Sequence, residues 1–121
     1  MRVSRRAARV LIVEIEPAIA LILEDMLKEM GFEQVHIAYD LSTARDSMGE
    51  VDLDLAIVKA DPEETVALAF AEKLRSRGVT VVFSTGRTAH EFPEECREIP
   101  LLYRPPHRLV LSAALRSLGF D

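Results

Sequence analysis

The 121-residue chain has a single cysteine, Cys96, so it can close no internal disulfide; such cysteine usage suits a reducing compartment. Glycine is scarce, and none stands in the turn Glu14-Ile15-Glu16-Pro17 that follows the first apolar run. The dinucleotide fingerprint is therefore missing, as is a Gly-rich phosphate loop ending in Lys-Ser/Thr, which removes the main support for flavin or nucleotide binding. No apolar run reaches the length of about 18 residues that a membrane span needs. The arginine-rich start (Arg2, Arg5, Arg6, Arg9) lacks a signal-peptide core, because Leu11–Val13 runs straight into Glu14. Positive charge is in deficit, with a formal net charge of −5. Phosphate neutralisation takes clustered cations, so a dedicated nucleic-acid binder is not expected. The expectation is a cytoplasmic protein that binds neither membrane nor nucleic acid, with residues 1–7 as a solvated basic tail and residues 8–121 as one domain.

What is present is an alternation of short apolar runs with helical patterns, the signature of parallel strands joined by crossover helices. Val10–Val13, Leu55–Val58 and Val79–Phe83 are nearly continuous in Val, Ile, Leu and Phe, as strands buried on both faces are. Val35–Tyr39 is more mixed and reads as an edge strand, and Ile99–Tyr103 is the fifth candidate. Pro17 suits a first helical position, Ile19 to Met30 follow at helical spacing, and Gly31 supplies a stop. Leu41–Met48 is a second helix ending at Gly49. A third starts at Asp61-Pro62-Glu63-Glu64, with Asp61 as cap and Glu64 closing a capping box, and ends at Gly78. Thr88–Arg97 is a fourth, interrupted by Pro93, and Pro106–Leu118 a fifth. Five βα units with right-handed crossovers put helices on both faces of one sheet.

Ligands of open α/β sheets bind outside the carboxyl ends of the strands. Those ends read Glu14-Ile15-Glu16-Pro17, Lys59-Ala60-Asp61, Ser84-Thr85-Gly86 and Arg104-Pro105-Pro106. Charge gathers where an apolar sheet stops, and such charges are expected to pair with one another.

These residues resemble the receiver domains of two-component signalling. Val13-Glu14-Ile15-Glu16-Pro17 is similar to the acidic end of that family's first strand, Asp54-Leu55-Ala56-Ile57-Val58-Lys59 to its third strand, Phe83-Ser84-Thr85-Gly86 to its fourth, and Arg104-Pro105-Pro106 to its Lys-Pro end of the fifth. The resemblance spans about residues 8–118. The Phe-x-Thr-Gly wording is similar to the subgroup found as free-standing receivers and at the ends of hybrid kinases. It implies a flavodoxin-like doubly wound (βα)5 fold with a five-stranded parallel sheet of order 2-1-3-4-5.

The departures from the family pattern carry the functional expectation. Lys59 stands where the resemblance places the phosphate-accepting Asp, and an ammonium forms no acyl phosphate. Ile15 stands at a metal-binding Asp and offers no oxygen, whereas magnesium wants hard oxygen ligands. Arg104 replaces the essential Lys, and Leu101 stands where a switching aromatic is common. Only Glu14 and Thr85 keep the expected chemical type. Counting Glu14 against Lys59 and Arg104 leaves the site formally positive, and neutral at best with Glu16 turned inward. No magnesium or other cofactor is expected, and Lys59 is expected to neutralise Glu14 in the metal's place. Arg104 has Glu14, Glu16 or solvent as alternatives.

The implied function is a phosphorylation-independent pseudo-receiver, not an enzyme. Its expected partner is a protein, a histidine kinase or another two-component component being the class implied, and a homodimer remains open. The degenerate site is Glu14, Ile15, Glu16, Lys59, Thr85 and Arg104. Phe92, Leu101 and Tyr103 are candidates for a partner surface by resemblance, with core or rim positions as the plain alternative. Two other readings stay open: phosphorylation at Asp61, which otherwise caps a helix, and Schiff-base chemistry on Lys59. His36, His90 and His107 are scattered without metal-ligand spacing.

Overall fold

The computed structural model describes residues 2–48 and 52–121. Five strands form one parallel sheet: β1 (Arg9–Val13), β2 (Gln34–Ala38), β3 (Leu55–Lys59), β4 (Thr80–Thr85) and β5 (Leu101–Tyr103). Their order is β2-β1-β3-β4-β5, as the family resemblance implies. The helices are α1 (Pro17–Glu29), α2 (Leu41–Met48), α3 (Thr65–Ser76) and α4 (Arg108–Ser117). Gly49, expected to end α2, lies outside the described residues.

The apolar runs behave as their continuity suggests. β1, β3 and β4 are buried on both faces, and β2, at the sheet edge, is only half-buried. One core layer joins Leu11, Val58 and Phe83 to α3 residues such as Phe70 and Leu74. The other joins Ile12, Ile57 and Val82 to Leu23 and Leu27 of α1 and Leu111 and Leu115 of α4. Alternate residues of each strand thus feed opposite layers. Gly31 and Gly78 end α1 and α3 at φ +103° and +85°. In each case the next residue, Phe32 or Val79, donates its N–H back to the carbonyl of Leu27 or Leu74 and buries its own side chain. That left-handed closure is strained for any residue with a Cβ.

Three local expectations need correction. The third helix begins at Thr65, four residues later than anticipated. Asp61–Glu64 is instead a turn, closed by the Glu64 N–H on the Asp61 carbonyl (3.0 Å), and Glu64 Oε1 accepts the Asp61 N–H (3.2 Å). Half of a capping box forms, but the Asp61 carboxylate is engaged elsewhere and does not cap. The fourth helix is replaced by two single 3-10 turns, Ala89–Glu91 and Glu94–Cys96. Pro93 forces Phe92 into an extended conformation, ending the first turn, which Thr88 and Glu91 cap reciprocally. The basic start is not a free tail either. Val3 pairs with Phe120, and Arg5 lies over the Phe32 ring at 5.7 Å while donating to the carbonyls of Phe120 and Met30. An arginine stem covers apolar surface while its guanidinium satisfies the Met30 carbonyl at the end of α1 and the Phe120 carbonyl beyond α4.

Candidate functional site

Glu14 extends from the end of β1 into the sheet's carboxyl edge, and its side chain is 1% exposed. Its partner is Arg104, from just after β5, whose Nη1 and Nη2 fork onto Oε1 and Oε2 (3.3 Å for the Nη2 pair). Glu14 Oε2 also accepts the N–H of Glu16 at 3.1 Å, and Glu16 Oε1 lies 3.7 Å from Arg104. The planar fork of arginine suits this two-oxygen contact better than a lysine would. The Arg104–Pro105 peptide bond is cis.

Lys59, at the end of β3, does not neutralise Glu14. Its Nζ lies 2.6 Å from Glu64 Oε1 and 3.5 Å from Asp61 Oδ2. The turn after β3 brings both carboxylates back over their own strand, so the lysine finds local partners while Arg104 takes the distant one. The hydrogen bond that Lys59 donates to Glu64 raises the Lys59 pKa above its ordinary value, against the opposing effect of burial. The amine is therefore held charged, which works against a Schiff-base nucleophile.

Asp61 is tied from a second side. The buried Thr85 hydroxyl donates to Asp61 Oδ1 (3.3 Å) and accepts the N–H of Arg87 (3.1 Å). Arg87 bonds Glu63 Oε1 (2.7 Å) and Glu91 Oε1 (3.0 Å). Those bonds lower the pKa of both carboxyls and raise that of the guanidinium. Arg87 lies outside the charged strand-end motifs, and its spacing of four from Glu91 is the signal the sequence carries for it. Asp61 and Glu64 also alter the charge balance. Four carboxylates (Glu14, Glu16, Asp61, Glu64) now face two cations, so the site is not positive as the simpler count suggested. Among the described residues no group of three or more His, Cys, Asp or Glu side chains is arranged to hold a metal ion.

Ile15 is 67% exposed and helps wall a cleft of about 190 Å³ with Tyr39, Leu41, Asp40, Lys59 and Glu64. The three candidates for a partner surface separate. Phe92 is buried, stacked on Phe83 at 5.3 Å between ring centres, and belongs to the core. Leu101 is half-buried against the same layer, and Tyr103 alone of the three faces solvent. His36, His90 and His107 are exposed on separate elements.

The five parallel strands in the order 2-1-3-4-5 with their helices match the CheY-like fold of response-regulator receiver domains. Among solved structures, the chain is similar to the BeF3-activated conformation of SdrG from Pseudomonas melonis Fr1, at 29% identity over 93% of this chain and 98% of that one, with a TM-score of 0.74. SdrG from Sphingomonas melonis Fr1 matches at 28% identity over 92% and 95%, with a TM-score of 0.71. A CheY-like receiver domain from Methylobacillus flagellatus matches at 23% identity over 92% and 98%, with a TM-score of 0.77, a likeness of fold alone. No family model matches the chain, and no curated protein matches it. No helix among the described residues is long and apolar enough to cross a membrane.

Proposed function

We propose that the chain is a pseudo-receiver: a cytoplasmic signalling module that binds a protein partner of the two-component class without being phosphorylated. It is not an enzyme and uses no magnesium. The observation that carries this reading is Lys59 at the tip of β3, held as an ammonium by Glu64 and Asp61. An ammonium presents no oxygen to a phosphoryl group. The Glu14–Arg104 fork supports the same reading, since it occupies both carboxylate oxygens. Tyr103 remains a candidate partner contact.

The test is incubation with acetyl phosphate and magnesium, followed by intact-mass measurement. The protein should stay at its unmodified mass. A hydroxylamine-sensitive phosphoryl adduct overturns the reading.

A second reading has one observation in its favour. Asp61 is the carboxylate that meets the Thr85 hydroxyl. If Asp61 is an acceptor, an adduct forms in the same experiment and Asp61→Asn abolishes it.

A further inference from the structure

The segment Thr88–Arg97 crosses the face of α3 as two short turns, and its inner side chains, Phe92 and Cys96, join the core. Outside them a groove of about 270 Å³ stays open between the segment and α3. On the helix side it is lined by Thr65, Leu68, Ala69 and Glu72. These are the i, i+3, i+4 and i+7 positions of α3, one continuous stripe into which the ridge of another helix can pack. On the opposite side stand Pro93, Glu95 and Cys96.

The charged side chains that line the groove are acidic, with Arg75 paired to Glu72 behind the lining. Glu72 and Glu95 line the groove, and Glu94 is exposed beside it. Glu72 shares Arg75 with Glu98, whereas Glu94 and Glu95 form no ion pair with any described residue. No lysine or arginine lines the groove among the described residues.

The geometry points to this groove as the docking site for an amphipathic basic helix of a protein partner, its apolar side chains over Leu68, Ala69 and Pro93 and its lysines or arginines against Glu94 and Glu95. Charge complementarity selects the occupant: an acidic helix meets repulsion at the rim, and a neutral one leaves the two glutamates unpaired. The inference does not depend on whether the β3 tip can be phosphorylated, and a phosphoryl adduct leaves it intact.

Cys96, the sole cysteine, lines the floor of the groove and is 3% exposed, so its alkylation passes through local opening of the Thr88–Arg97 segment, which an occupant of the closed groove suppresses. The probe is a blocked 14-residue peptide of Leu, Ala and Lys with Leu at helical spacing, compared with the same peptide carrying Glu for Lys. Alkylation of Cys96 by N-ethylmaleimide is followed by mass, and amide shifts by NMR. With the Lys peptide at about ten times its dissociation constant, alkylation should slow about tenfold. Amide shifts should centre on Thr65, Ala69 and Glu95. The Glu peptide should do neither. Reversing Glu94→Lys and Glu95→Lys together, at exposed positions that leave the core intact, should remove the protection, and so should Ala69→Asp. Absence of protection at every soluble concentration, equal protection by both peptides, protection that survives the reversal, or shifts centred away from α3 would overturn the proposal.

Discussion

Glu14 and Arg104, 90 positions apart in the chain, form a forked ion pair at the carboxyl edge of the sheet, with the carboxylate 1% exposed and the arginine 16%. The pair ties the first strand to the segment after the last. Removing one partner strands a buried charge, which costs more than the pair contributes. Arg104→Met should therefore destabilise the protein by about 3 kcal/mol, toward the low end for a buried pair because the guanidinium keeps some water. Adding Glu14→Gln should recover part of that loss. Urea denaturation of the two single variants and the double variant gives the cycle. Independent, additive losses would show that the pair contributes no coupling.

How much of this was legible in the sequence depends on how local each feature is. Val10–Val13, Leu55–Val58 and the run ending at Phe83 identified strands because burial on both faces demands unbroken apolar residues. Gly31 and Gly78 marked helix ends because only a left-handed closure turns the chain there. Which acid each cation would choose was not legible. Lys59 has Glu64 within reach only because the turn after β3 delays α3 to Thr65, and the capping-box pattern of the sequence claims the same carboxylate. The segment around Pro93 misled for a related reason. Its residues pattern as a helix, yet Phe92 is drawn inward onto Phe83 and the proline has no N–H to continue the ladder.

Phe92 and Tyr103 should respond oppositely to truncation. Phe92 is 2% exposed and stacked on Phe83, so Phe92→Ala should cost about 3–4 kcal/mol through lost burial and the cavity left behind. Tyr103 is 53% exposed, and Tyr103→Ala should stay within about 0.5 kcal/mol. Thermal melts of the two variants decide this. A neutral Phe92→Ala would return that side chain to the surface and restore it as a partner contact.

Arg87 joins Glu63, Glu91 and the loop carrying Thr85. Both carboxyl pKa values are lowered, so the stabilisation is complete above the ordinary glutamate value, about 4.3. It is lost as pH falls through the depressed values. Arg87→Gln should speed amide exchange in the Thr88–Cys96 turns at pH 7. The difference from the parent protein should shrink on moving to pH 3. A difference that persists unchanged at pH 3 would mean the guanidinium acts there through something other than these carboxylates.

The Lys59 pairs predict the opposite pH window. The folded-state pKa is raised, chiefly by the Glu64 hydrogen bond, so the ammonium's contribution is fully present below the ordinary lysine value of about 10.4. It disappears as pH rises through the higher folded-state value. Lys59 is 26% exposed and its partners more so, which limits the contribution to about 1 kcal/mol or less. Lys59→Met should accordingly be less stable than the parent protein at pH 8, and the gap between their urea midpoints should narrow as pH rises past the ordinary lysine value. Glu64→Gln, which removes the main partner, should itself be destabilised at pH 8, and Lys59→Met should cost less in that background. If the gap instead widened with pH, the lysine would be more stable neutral than charged in the folded chain, and the ion-pair account of the β3 tip would fail.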